Sequence, residues 1–300
     1  MASYLNEENI EGIALRCLDE VGYQVYKSAS YTSPNVEIDA ERNNDHTQPI
    51  LKGQLENALR KLNSGLDDEV YRNAIHQFEM LADSPDMMLN NHKLHELIIG
   101  GAKVKTSIKG EDRTITLYPI DFKNVDNNTF IATNQFTMKQ GEHERRPDIT
   151  LFINGLPLVT FELKNPANAN VGIQQAFAQF STYKEEISSY MQYNEIVSDG
   201  INARAGSLTA GIDRFMRWRE PKNVDIDDSM MELEVLIKYM LTPSDLLNII
   251  QNFILFESDG DKTIKILAAY HQYYMVNKAV KRTSKVLADP DDKRIGVVWH

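Results

Sequence analysis

The chain has 300 residues, 42% hydrophobic and 25% charged, which suits one large globular domain or two smaller ones with a core of ordinary size. No run of about eighteen apolar residues could cross a membrane. The polar, acidic start from Met1 to Glu8 is not a secretion signal, so a cytoplasmic setting is expected, and the single Cys17 excludes a disulfide framework or a cysteine-based zinc site. The formal net charge of −11 runs against simple electrostatic capture of nucleic acid, which needs an excess of Lys and Arg.

In chain order, Asn6 to Glu20 reads as a capped helix with Ile10, Ile13, Ala14 and Cys17 at helical spacing. Val21 to Tyr26 follows as a short strand, and Ser30 to Pro49 as a polar loop. Pro49 to Leu62, Asp67 to Leu81 and Met87 to Ile99 complete a helical first third, stopped by Gly100-Gly101. Strands follow over Val104–Ile108, Thr114–Phe122, Phe130–Met138, Asp148–Ile153 and Leu158–Lys164, all rich in β-branched and aromatic residues. A helix from Val171 to Ser188 and short strands near Glu195–Ser198 and Arg204–Thr209 make this an α/β fold with a mixed sheet flanked by helices. Glu220 to Ser229 reads as an acidic linker. Leu241–Phe256 and Ile264–Thr283 then read as helices, and Ile295–Trp299 as the start of a buried strand, as though the chain were cut from something longer. Two basic stretches, Arg204 to Lys222 and Lys262 to Lys285, serve equally as solvated faces or as a local track for DNA.

The chemistry concentrates at Arg146-Pro147-Asp148 and Phe161-Glu162-Leu163-Lys164, the pattern PD…ExK. Side chains alternate faces along a strand. Ile149, Leu151 and Ile153 therefore share one face with Val159, Phe161 and Leu163, which leaves Asp148, Glu162 and Lys164 together on the other. A strict two-residue loop at Asn154-Gly155 would pair Asp148 with Phe161. A three-residue loop, or one bulge, pairs Asp148 with Glu162 and keeps both faces consistent. Two carboxylates that meet must share a proton or a cation, and oxygen ligands of this kind suit Mg²⁺. Asp148, Glu162 and the carbonyl of Leu163 are the candidate metal ligands, and Lys164 could orient a water or neutralise developing charge. A surface hairpin with a cross-strand Asp–Lys or Glu–Lys pair would give the same pattern. In the next helix Gln175, Gln179 and Tyr183 sit four apart along the flank of an apolar stripe. That flank could face the metal edge, or simply belong to an ordinary amphipathic helix.

These strings, with Asn154-Gly155-Leu156-Pro157, Asn134-Gln135-Phe136-Thr137, Tyr183-Lys184-Glu185-Glu186-Ile187 and Ser198-Asp199-Gly200, resemble the nuclease region of the restriction (R) subunit of type I restriction-modification enzymes. The resemblance implies a PD-(D/E)xK endonuclease-like core with catalytic Asp148, Glu162 and Lys164, and a QxxxY motif of Gln179 and Tyr183 that handles DNA. It implies Mg²⁺-dependent cleavage of double-stranded DNA in a complex with methyltransferase and specificity subunits. His95 resembles a helical histidine of the family, and Glu79 is a further acidic candidate. By the same resemblance residues 1–220 are the nuclease domain. Residues 221–300 are a linker and helical segment leading into a RecA-like motor domain, with Gln272 placed to read adenine. No GxxxxGK[ST] loop is present, so ATP is expected to be used only by a full-length parent. The rival expectations are a non-catalytic module coupling nuclease to motor, and a repair or junction nuclease on the same fold.

Overall fold

The computed structural model describes residues 6–30, 32–83, 86–108, 110–165, 169–190, 194–221, 230–259 and 262–288, with 294 and 296. Its centre is a six-stranded mixed sheet built from β1 (Gln24–Tyr26), β4 (Phe130–Asn134), β7 (Ile149–Ile153), β8 (Leu156–Leu163), β9 (Asn194–Ser198) and β10 (Ala203–Gly206), side by side in that order. β1 runs parallel to β4 and β8 parallel to β9; the other neighbours are antiparallel. Peripheral two-stranded ribbons are formed by β2 (Ala102–Ile108) with β3 (Glu111–Leu117), β5 (Met138–Gln140) with β6 (His143–Arg145), and β11 (Ile254–Asp259) with β12 (Lys262–Leu267).

Helices cover both faces of the sheet. α1 (Glu7–Glu20) starts where the Asn6 side chain accepts the Asn9 N–H at 2.8 Å, with Glu7 and Glu8 in the first turn favoured by the helix dipole. Its Ile10, Ala14 and Leu18 share one core with Ile149, Leu151, Ile153, Val159, Phe161 and Leu163, and with residues of α3 (Lys52–Leu62), α4 (Asp68–Glu79) and α5 (Met87–Gly100). Each fully buried aliphatic or aromatic side chain of this kind contributes about 1.5–3 kcal/mol. The opposite face carries Ile131 and Phe152 into a second core with Ile38 of α2 (Val36–Ala40) and with Ala176, Phe180 and Tyr183 of α6 (Ala169–Glu186). The face that carries Asp148 and Glu162 is therefore buried as well. α7 (Glu232–Met240) and α8 (Pro243–Asn252) join the first core through Leu233, Leu236 and Leu246, and the Tyr23 hydroxyl donates to the Leu241 carbonyl at 2.8 Å. α9 (Tyr270–Ala288) closes the described chain.

The register at the strand ends that carry Asp148 and Glu162 follows from one turn and one bulge. Asn154 and Gly155 both have positive φ, 51° and 82°, as the tight turn of a two-residue hairpin requires. Gly155 also packs against the backbone of Leu51 and Leu55, where a Cβ would collide. Ile153 pairs with Leu156 and Phe152 with Pro157, but Leu151 pairs with Val159, so Leu158 is bulged out. From there Thr150 faces Thr160 and Ile149 faces Phe161. One step further brings Asp148 opposite Glu162, the arrangement the hydrophobic pattern requires.

Elsewhere the structure departs from the sequence expectation. The Ser30–Pro49 stretch contains α2, capped by the Asn35 side chain on the Ile38 N–H. Phe130–Met138 is two strands, broken at Gln135, whose φ is 55°. Leu241–Phe256 is α8 running into β11, and Ile264–Thr283 is β12 running into α9. α7 was not anticipated. The expected linker overlaps residues 222–229, and the strand at Ile295–Trp299 includes residue 295 and 297–299; both expectations lie mainly outside the described residues.

Candidate active site

Strand alternation and the Leu158 bulge bring Asp148, Glu162 and Lys164 to one end of β7 and β8, on the side covered by α6. The residues Asp148 and Glu162 are 9% and 4% exposed, far less than a surface hairpin would leave them. The Leu163 N–H donates to Asp148 Oδ2 at 2.6 Å. Lys164 Nζ donates to Glu162 Oε1 at 2.5 Å, and the Tyr183 hydroxyl donates to Glu162 Oε2 at 2.9 Å. The Lys164 N–H is held by the Ser198 carbonyl of β9 at 2.9 Å, which fixes the strand end on which the lysine stands.

Burial, followed by the repulsion of Glu162, pushes the Asp148 carboxyl well above its ordinary range. Burial also raises Glu162, against the opposing pull of Lys164 and Tyr183. For Lys164 burial works downward, but Glu162 and Asp148 outweigh it and hold the ammonium above its usual value. Burial and Glu162 raise Tyr183, so it stays a neutral donor. Two carboxylates and one ammonium leave a surplus negative charge in a nearly closed site, which a proton or a cation must compensate. The donors are hard oxygens, the preference of Mg²⁺, and among the described residues no group of three or more His, Cys, Asp or Glu side chains could enclose an ion. Such a set suits a cation that keeps waters and takes a phosphate oxygen.

A third carboxylate was not found by reading the sequence. Glu11, on α1, is buried, and accepts from Asn134 Nδ2 and Gln135 Nε2, each at 2.7 Å. Burial raises its proton affinity against those two donors and Lys27, and its charge in turn raises Asp148. Gln135 links the two groups: its N–H donates to the Asp148 carbonyl at 3.0 Å while its amide holds Glu11. A non-glycine residue in the left-handed region, as Gln135 is, is a strained arrangement of the kind found at functional sites. The signal was available: Glu11, Ala14, Leu15 and Leu18 lie at three–four spacing on the buried stripe of α1.

The remaining candidates fall in four places. Gln179 lies one turn before Tyr183 on α6, half-buried and with no hydrogen bond among the described residues. Glu79 pairs with Lys52 at 2.7 Å and His76 at 3.8 Å on the α4 surface, away from the catalytic group. His95 packs on Phe256 of β11, ring centroids 5.3 Å apart, and burial lowers it to about 4 with help from Lys265 and His92. Gln272 is exposed at the start of α9, its side-chain oxygen accepting the Ala269 N–H at 2.9 Å. Of the basic stretches, Arg204 and Arg217 are both tied to Glu232, and the Lys265 side chain is buried near Phe256.

The family model described as the type I restriction enzyme R protein N terminus matches residues 4–214. The chain belongs to that family. The type I restriction enzyme HindI endonuclease subunit of Haemophilus influenzae is 38% identical over 306 residues, covering 99% of this chain and 28% of that protein. A putative type I restriction enzyme MjaIXP endonuclease subunit of Methanocaldococcus jannaschii is 33% identical over 326 residues, covering 100% of this chain and 30% of its own length. The EcoprrI endonuclease subunit of Escherichia coli is 29% identical over 171 residues. The chain thus spans less than a third of the first two relatives. No described helix is long and apolar enough to cross a membrane.

Proposed function

We propose that this R-protein region carries the nuclease centre of a type I restriction enzyme, and that the shared end of β7 and β8 hydrolyses phosphodiester bonds of double-stranded DNA with Mg²⁺. The observation that carries the reading is the buried, mutually repelling pair of Asp148 and Glu162, with Lys164 and Tyr183 bonded to it. Asp148, Glu162 and the main-chain carbonyl of Leu163 would hold the cation. A divalent cation supplies a Lewis acid for the phosphate and lowers the pKa of a water.

The chain's own groups do the rest. The Leu163 N–H fixes one Asp148 oxygen and leaves the other without a hydrogen bond among the described residues. Tyr183 orients Glu162 and favours its ionised form. Lys164, held charged by Glu162, offers a cation to the phosphorane-like transition state. Gln179 lies on the same helix, where it would reach a phosphate or base. Glu11 adds a nearby negative charge that draws a cation toward Asp148. In the full-length protein, residues 221–300 would lead into an ATP-driven motor, with Gln272 beside the nucleotide. Methyltransferase and specificity subunits would choose the site on DNA.

The test is Mg²⁺-dependent nicking of plasmid DNA by the full-length subunit in its assembled enzyme. Asp148→Ala and Lys164→Ala should each lower it by about 10²–10³-fold while assembly and ATP hydrolysis persist. Undiminished nicking would refute the assignment and favour a coupling module. A preference for branched over linear duplex would point instead to a junction nuclease.

A further inference from the structure

Immediately inboard of Asp148 and Glu162, on the same two strands and the same face, Thr150 and Thr160 form a direct cross-strand pair. Both are buried, 0% and 1% exposed, beside a core of Ile131, Phe136, Phe152 and Phe180. Valine would pack there without a polar atom to satisfy. Both hydroxyls instead meet that of Tyr190, at 2.5 Å from Thr150 and 3.2 Å from Thr160. Tyr190 is itself fully buried, its ring 6.0 Å from that of Phe136.

Tyr190 also stands in the turn just past α6. Its N–H donates to the Ile187 carbonyl at 3.0 Å, and the Ile187 N–H donates to the Tyr183 carbonyl at 2.8 Å. Main-chain bonds thus run from Tyr190 to Tyr183, and Tyr183 ends on Glu162. Two tyrosines of one segment grip successive cross-strand pairs: Tyr183 the catalytic row, Tyr190 the row beneath it. Apolar contacts are non-directional. The end of the segment is also tied to the β5–β6 ribbon, Glu186 to His143 and Arg145 and Ser189 to Gln140, whereas Tyr190 reaches the strands that carry Asp148 and Glu162. Hydrogen bonds to two fixed strand hydroxyls set one position, and catalytic geometry is sensitive to errors of about an ångström.

We propose that Tyr190, locked between Thr150 and Thr160, is a positioning residue for cleavage: it fixes the end of α6 so that Tyr183 meets Glu162. The proposal rests on the nuclease reading, and acts through Tyr183 rather than on the DNA.

The experiment is a double-mutant cycle in the full-length assembled enzyme, with cleavage rate and melting temperature measured on each protein. Tyr190→Phe should slow cleavage roughly three- to tenfold at saturating Mg²⁺. In a Tyr183→Phe background the same change should have no further effect. Thr150→Val, Thr160→Val and Tyr190→Phe together replace the polar cluster with hydrocarbon of nearly the same shape, which is close to neutral for stability. That triple variant should recover its melting temperature and stay slow. Wild-type cleavage by Tyr190→Phe, equal loss in both Tyr183 backgrounds, or recovery of cleavage along with stability would each overturn the proposal. An Asp148→Ala control separates the two readings. If it cleaves normally, the nuclease assignment fails; if it is inactive while the cycle is additive, only the role of Tyr190 fails.

Discussion

The end of β7 and β8 and the junction of α5 with β11 both bury ionisable side chains, with opposite results. At the first, Asp148, Glu162 and Lys164 remain in contact, so that each charge depends on the others. At the second, His95 lies among His92, Lys265 and Phe256, its ring tilted against the phenyl ring on which His92 stacks, and burial keeps His95 neutral. A group destined only for packing loses its charge. One held for chemistry keeps a charge that the protein cannot balance alone. The difference separates the buried histidine from the proposed catalytic cluster without reference to any motif.

Substitution should separate the two regions most sharply by activity. Lys164→Ala or Asp148→Ala should lower cleavage by about 10²–10³-fold, the usual result of losing one transition-state stabiliser. His95→Gln should leave the rate per folded molecule unchanged. A comparable loss in both, measured on plasmid DNA, would erase the distinction.

Acid should break the junction and not the carboxylate pair. The His95 value is depressed in the fold to about 4 from 6.5, so the unfolded chain binds more protons between those values. The stability from keeping His95 neutral is present above about pH 6.5 and is lost as pH falls toward 4, up to about 3 kcal/mol. Asp148 has the opposite sign: its raised value makes a contribution that is present below the ordinary carboxylate range and lost as pH rises through the folded value. Asp148→Asn should therefore raise the melting temperature near neutral pH without Mg²⁺, by a few degrees for about 1 kcal/mol. Mg²⁺ should stabilise the wild type and not this variant. Scanning calorimetry from pH 4 to 8 reads both trends, and a His95→Gln protein with an unchanged acid limb would remove the first.

The same two regions mark how far the sequence could be read. The register that joins Asp148 to Glu162 was legible because alternation at Ile149, Leu151, Ile153 and at Val159, Phe161, Leu163 leaves only one consistent pairing, and a bulge at Leu158 supplies it. The junction was not. Ile254 to Leu267 places apolar residues near enough to helical spacing to pass as helix ends, and only pairing such as Phe256 with Lys265 reveals a hairpin. Glu11 escaped because a carboxylate on an apolar helical stripe reads as an exposed neighbour until Asn134 and Gln135 are seen to hold it. Thr150 and Thr160 looked like ordinary strand residues because their partner, Tyr190, comes from a turn beyond α6.

Glu11 permits the smallest and most selective change at the first region. Glu11→Gln preserves shape. Its oxygen can still accept from Asn134, and Gln135 can turn its own amide so that its oxygen receives the new N–H. The Gln135 N–H stays on the Asp148 carbonyl, so Asp148 keeps its place and only a negative charge is lost. One charge near a bound divalent cation, screened as is typical of protein sites, is worth about 1 kcal/mol, or roughly fivefold in affinity. The Mg²⁺ concentration for half-maximal cleavage should rise by about that factor while the rate at saturating Mg²⁺ changes little, and Mn²⁺ binding measured without DNA should weaken in parallel. Glu79→Gln, on the surface of α4 beside Lys52, should shift neither. If the two variants behave alike, Glu11 is a buried structural carboxylate and belongs with His95.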